Sequence, residues 1–223
     1  MFEFLDFERY DLLGAFWTTV QLTFWSALGS LIWGTVLAAM RVSPVPVMRA
    51  FGTVYVHLFR NIPLTLVIIA CAQGLYMALR FSLGGDRPPE IYFRLAILGF
   101  IAYTATFVCE ALRSGINTVP LGQAEAARAL GLRFDQVLTL VVLPQAFRTV
   151  VAPLANVLIA LTKNTTVAAA IGVAEAALLM KEMIENEAQL FLIAGIFALG
   201  FILLTLPTGL LLGWVSKRVA VKR

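Results

Sequence analysis

Three stretches of this chain run for the thickness of a lipid bilayer without one formal charge. Asp11 to Arg41 encloses 29 uncharged residues, Arg60 to Arg80 encloses 19, and Glu187 to Lys217 encloses 29. A helix needs roughly 20 apolar residues to cross a hydrocarbon core about 30 Å thick. In lipid, every backbone amide must find its partner inside the segment, so blocks of this length are expected to be helices. Two further blocks carry a single charge each: Leu95 to Leu112 holds Glu110, and Thr149 to Ala174 holds Lys163. Only 13% of the 223 residues are charged, about half the share of a soluble domain. The chain therefore reads as an all-α membrane protein with five transmembrane helices, at about 15–40, 58–80, 93–113, 149–173 and 190–215.

Five spans place the termini on opposite sides, and the excess of Lys and Arg marks the cytoplasmic side. With the N-terminus outside and the C-terminus inside, the inner segments hold eleven basic residues and the outer segments five. The net charge of +4 is accounted for by this bias and calls for no nucleic acid. The reading divides the chain into an extracellular segment (1–14), a transmembrane domain (15–215) and a basic cytoplasmic tail (216–223). The first residues, MFEFLDFERYD, are acidic rather than basic, which does not fit a secretory signal. They suit a retained segment lying on the membrane surface.

The sequence offers no chemistry of its own. It lacks a GxxxxGK[ST] phosphate-cradling loop. His57 is the only histidine, and no His, Cys and Asp cluster has metal-ligand spacing. Cys71 and Cys109 each fall inside an apolar block and read as small buried residues. An intramembrane enzyme is therefore disfavoured. A carrier driven by an ion gradient is an alternative, but five spans without an internal repeat argue against it.

The long inner segment, about 114–148, is not loop-like. PLGQAEAARALG is rich in helix formers and closes on Gly131. A second helix is expected from about Arg133 to Leu143, limited by Pro144. Ala126, Ala127, Leu130, Leu138 and Val141 would form an apolar side, with Glu125, Arg128 and Arg133 facing outward. Such a pair, within residues 120–144, is either an ordinary surface hairpin or a ridge that fits a groove on another protein.

Spacing separates those readings. Glu125-Ala126-Ala127, then Gly131, Val141 and Leu143-Pro144 resemble the E-A-A, G, I-x-L-P signature of bacterial ABC importer permeases. Every interval matches, and the single departure is Val141 for isoleucine. Phe59-Arg60-Asn61-Ile62-Pro63-Leu64 is similar to the FRGTPL segment of the polar amino-acid uptake branch, departing at Asn61 and Ile62. Ser114-Gly115-Ile116-Asn117 and Leu161-Thr162-Lys163-Asn164-Thr165-Thr166 extend the likeness, which covers about residues 15 to 215. MRVSPV, RNIPLTLV, ALRSGINTV, LIALTKNTT and the ending VAVKR resemble the smaller of two glutamate permease subunits of actinobacteria.

The resemblance implies a type I ABC importer permease in the bacterial cytoplasmic membrane, without enzymatic activity. It implies that the 120–144 helices dock into a cleft of an ATPase subunit, with Glu125 and Gly131 in the coupling element. The expected partners are a second permease chain, different but homologous, two ATPase subunits and an extracellular substrate-binding protein. No cofactor is expected on this chain; ATP and Mg²⁺ belong to the ATPase. The expected cargo is glutamate, with glutamine or a basic amino acid as the alternative.

Charge inside a span is costly and points to function by default. Lys163 lies 14 residues past Thr149, roughly 21 Å along a helix. With Asn164, Thr165 and Thr166 it forms the candidate substrate pathway, unless Lys163 snorkels outward or ties to Glu110. Glu110 and Arg113 read as an i,i+3 ion pair. Gly209 and Gly213 form a small-xxx-small pair in the last span.

Overall fold

The computed structural model describes residues 10–219; the first nine and last four residues of the N-terminal segment and basic tail lie outside it. The order is α1 (Leu12–Val42), α2 (Pro46–Asn61), α3 (Leu64–Ile69, prolonged as a π-helix over Ala70–Ala78), α4 (Pro88–Asn117) and α5 (Leu121–Ala129). Then come α6 (Phe134–Gln136, prolonged as a π-helix over Val137–Val142), α7 (Leu143–Asn164, tightening to a 3₁₀ turn over Thr165–Ile171), α8 (Ala176–Glu187) and α9 (Leu190–Val219). Among the described residues four helical runs are long and apolar enough to span a membrane: Leu12–Val42, Pro88–Asn117, Phe134–Ile171 and Leu190–Val215.

The second expected span is not one straight helix. α2 and α3 meet at a bend of 105° and make a fifth span only if counted together. Their junction is Asn61-Ile62-Pro63. Ile62 is extended, at φ −94 and ψ 133, as a residue before proline prefers. Pro63 lacks an amide hydrogen, so a continuous helical ladder fails there. The Asn61 side chain donates to the His57 carbonyl at 2.8 Å and closes off the end of α2.

α4 is the central helix, packed along α1 on one side and α7 on the other. α1 turns Leu22, Ser26, Ser30 and Gly34 inward, one residue per turn, and all are buried. A Cβ on Gly34 would come within 2.6 Å of Val108 and 2.8 Å of the Ala105 carbonyl oxygen. A Cβ on Gly115 would meet Val150 at 2.1 Å and the Ala146 carbonyl oxygen at 3.1 Å. These glycines set the α1–α4 and α4–α7 crossings, because helix approach in lipid relies on small residues. The Gly209–Gly213 pair does less: a Cβ at Gly209 would make ordinary contact with Ile159 at 3.4 Å, and Gly213 faces open space. A small-xxx-small pattern does not by itself reveal whether another helix of the same chain faces it.

The core is divided among several apolar clusters along the bundle. Leu22, Ile68, Ala96, Phe100, Leu161 and Ala168 cluster where α1, α3, α4 and α7 converge. At the α8 end, Phe16 stacks on Phe197 at 5.7 Å, and the Tyr10 hydroxyl donates to Glu187 at 2.9 Å.

Candidate functional site

Two regions bring functional side chains together. The first is the α5–α6 segment, between the ends of α4 and α7. α5 starts after Pro120 and ends at Leu130, and Gly131 follows at φ +84. A left-handed backbone after a helix favours glycine because a Cβ would clash. Arg133 then caps the next helix: its amide donates to Gln136 Oε1 at 2.9 Å. The segment has its own small core of Val119, Ala127, Val137, Val142 and Ala146, with Leu138 and Val141 partly buried against it.

The expected apolar side divides in two. Ala127, Leu138 and Val141 turn inward, but Ala126 and Leu130 do not. Leu130 is 84% exposed and Leu121 80%. Glu125, Arg128 and Arg133 are exposed, as expected. The outer surface is thus an apolar ridge bordered by charges, with Glu125 and Ala126 on it and Gly131 at its tip.

The expected stop at Pro144 does not occur. Pro144 is the second residue of α7, and the helical run continues on both sides of it. The π-helical stretch Val137–Val142 lies immediately before it, and a π segment supplies the altered ladder that admits the ring. Leu143 and Pro144 therefore join the α6 run to α7 in one 38-residue helical run, Phe134–Ile171. Gln145 Nε2 donates to Gln123 Oε1 at 2.6 Å, fastening α5 to the same run.

The second region lies halfway along α4. Tyr103, Thr104 and Phe107 of α4 face Asn156, Val157, Ala160 and Asn164 of α7 across a cleft of about 250 Å³. The four expected pathway residues separate here. Asn164 lines the cleft, and the adjacent Lys163 is exposed. The Thr165 hydroxyl is buried and donates to the Thr162 carbonyl at 2.7 Å. The Thr166 hydroxyl donates to the Lys163 carbonyl at 2.8 Å. Both hydroxyls are thus engaged with the backbone at the tightening of α7. Asn156, two turns before Asn164, was missed because an isolated amide in an apolar run gives no pattern of its own.

Glu110 has a different principal partner from the one its spacing suggests. Arg41 of α1 donates to its Oε1, while Arg60 of α2 stands 3.7 Å away and Arg113 3.8 Å. The ends of three helices are thus tied through one carboxylate. Helical spacing reveals only the neighbour on the same helix, so two of these three arginines were invisible to it.

Residues 30–221 match the family described as the inner membrane component of binding-protein-dependent transport systems. The chain belongs to this family. The permease is 56% identical over 218 residues to the glutamate transport system permease protein GluC of Corynebacterium efficiens, covering 96% of each chain. It shows the same identity and coverage with GluC of Corynebacterium glutamicum. Its backbone superposes on that of a crystallised amino acid ABC transporter with histidines at a TM-score of 0.81, with 24% identity and 93% of each chain covered. The permease is thus a multi-pass protein of the inner membrane with a type I ABC importer fold. Membership of this family entails work with an ATPase and a substrate-binding protein. The family is one of transport subunits.

Proposed function

We propose that the permease carries glutamate across the cytoplasmic membrane. The observation that carries this reading is 56% identity along almost the whole chain to two permeases named for glutamate transport. The cleft chemistry agrees with it: Asn156 and Asn164 offer amide donors and acceptors, and the residue before Asn164, Lys163, is an exposed cation. In this reading the N-terminus is outside and the C-terminus cytoplasmic, which puts the α5–α6 segment on the ATPase side.

The coupling role belongs to Glu125, Ala126, Ala127, Gly131, Val141, Leu143 and Pro144. The exposed ridge suits a protein groove, and the Gln145–Gln123 hydrogen bond ties its helix α5 to the helical run from Phe134 to Ile171, which carries Asn156, Lys163 and Asn164. A motor that moves the ridge moves the cleft wall with it. ATP and Mg²⁺ remain on the ATPase subunits, and alternating access is a shift between outward- and inward-open populations. A second permease chain, homologous but different, closes the other side of the pathway. The spanning helices leave broad apolar faces free: Trp17, Phe24, Trp25, Ile32 and Leu210 are all exposed.

The test is reconstitution of the permease with its partner subunits and binding protein in vesicles. ATP hydrolysis is measured with glutamate, glutamine, arginine and histidine. Stimulation led by glutamate is expected, and stimulation by none of the four would overturn the substrate class.

A further inference from the structure

A groove of about 740 Å³ lies apart from the polar cleft, between the end of α1, the last turns of α4 and the start of the Phe134–Ile171 run. Ala38 and Val42 of α1, Leu112 and Ile116 of α4, and Leu138 and Phe147 of the long run give it apolar walls. Three of its lining residues carry polar side chains: Thr35, Ser43 and Arg148. The Thr35 hydroxyl donates to the Leu31 carbonyl at 2.7 Å. The Ser43 hydroxyl accepts from the Val45 amide at 3.2 Å. Arg148 is exposed, and among the described residues nothing accepts a hydrogen bond from its guanidinium. The carboxylates beside the groove-lining segments are engaged elsewhere, Glu110 with Arg41 and Asp135 with Arg133. The groove is thus an apolar slot with one uncommitted cation in its lining.

The order of charges in the sequence sets the groove at the edge of the apolar layer. Charge is costly in hydrocarbon, so the end of an uncharged block marks where hydrocarbon gives way to head groups. Arg41 closes the block that follows Asp11, and Arg148 immediately precedes the block that opens at Thr149. The groove straddles both boundaries. Thr35, Ala38 and Ala39 precede Arg41, while Ser43 and Pro44 follow it; Phe147 precedes Arg148, while Val150 follows it. An occupant therefore needs an apolar body and a negative charge at one end. A free amino acid lacks the apolar body, and its own charges would lie against walls without partners. A phospholipid has both parts, and it is the solvent around all three helices that wall the groove.

We propose that this groove holds an acyl chain of an anionic phospholipid, whose phosphate accepts hydrogen bonds from the Arg148 guanidinium. The planar fork of an arginine matches two phosphate oxygens at once. A zwitterionic lipid carries its own cation next to the phosphate, which weakens the attraction to Arg148. The bound lipid lies between the end of α1 and Leu138, Leu143 and Pro144, and braces the α6–α7 run against α1. The site requires only that these helices span the membrane, whichever face is cytoplasmic.

The experiment uses the assembled transporter in nanodiscs of phosphatidylglycerol and phosphatidylcholine in equal amounts, with matched acyl chains. Complexes are released into detergent, and the lipids they retain are counted by native mass spectrometry. The wild type should hold phosphatidylglycerol over phosphatidylcholine at one site by at least about tenfold, as a charge-assisted hydrogen bond implies. Ala39 is exposed and lines the groove, so A39F, which fills it, should remove one lipid per permease. R148Q should keep a lipid but lower the preference at least about fivefold, and R148K should restore part of it. Glycerol 3-phosphate, a head group without chains, should displace nothing; displacement would show an anion site that does not use the groove. Equal retention of the two lipids by the wild type, or an unchanged lipid count in A39F, would overturn the site. Release of another subunit from A39F with the lipid count unchanged would show that protein covers the groove, which overturns it as well. The wild-type preference needs no variant, so it decides the matter even where a substitution disturbs folding.

Discussion

Two single residues carry consequences that can be measured directly. Lys163 is exposed and adjoins Asn164, a wall of the cleft, on the helical run Phe134–Ile171. Lys163→Ala is expected to abolish glutamate uptake in vesicles while co-purification with the ATPase persists. Normal uptake would remove Lys163 from the pathway. Glu175 is fully buried at the start of α8, beyond the fourth span. Burial pushes its carboxyl above the ordinary carboxylate range, against the amides of Ala177 and Leu178 that donate to it at 2.9 and 3.0 Å. The folded state therefore binds this proton more tightly than the unfolded chain. Its contribution to stability is greatest below the unfolded value and declines as pH rises through the folded value. Thermal unfolding of the detergent-purified complex should show that decline. Glu175→Gln should flatten it while keeping an oxygen for the cap.

Among the elements, the α5–α6 turn is the most sensitive joint. Gly131 holds φ +84 in the turn between α5 and α6, and nothing crowds it. A Cβ there costs about 1 kcal/mol from backbone strain alone. Gly131→Val is thus expected to leave the spans folded but to lower substrate-stimulated ATP hydrolysis by at least about fivefold, because the ridge loses its geometry. An unchanged rate would mean that the turn is not part of the coupling. The bent α2–α3 pair is different in kind. Its corner at Ile62-Pro63 is built into the covalent chain, and it holds Arg60 one turn before the bend.

For the whole molecule the decisive property is sidedness. The proposed orientation is checked by cysteine labelling with a membrane-impermeant reagent on intact cells. Cys71 and Cys109 are buried, so their background is expected to be low. Asp86→Cys should label from outside, and Arg128→Cys only after the membrane is opened; the reverse pattern would invert the topology. At this scale the charge asymmetry of the loops was fully legible in sequence, because it is a property of residue types and their order. The helix contacts were not. Gly34 and Gly115 became visible as crossing points only once α1 and α7 were seen against α4.

By itself the sequence determined that the chain spans a membrane, since apolar length and internal hydrogen bonding leave a helix few alternatives in lipid. It also singled out residues 120–144 as a helical pair, because a spacing of fixed residues along a short helical stretch survives in linear order. Tertiary structure decided what depends on distance between helices. It turned the second span into a corner, carried the fourth span straight through Pro144, and placed Asn156 opposite Tyr103. It also gathered Arg41 and Arg60 around Glu110 from 69 and 50 positions away in the chain. A sequence records which residues carry charge, whereas only packing decides which charges meet. For this permease packing brings Arg41 of α1, Arg60 of α2 and Arg113 of α4 to one carboxylate, Glu110.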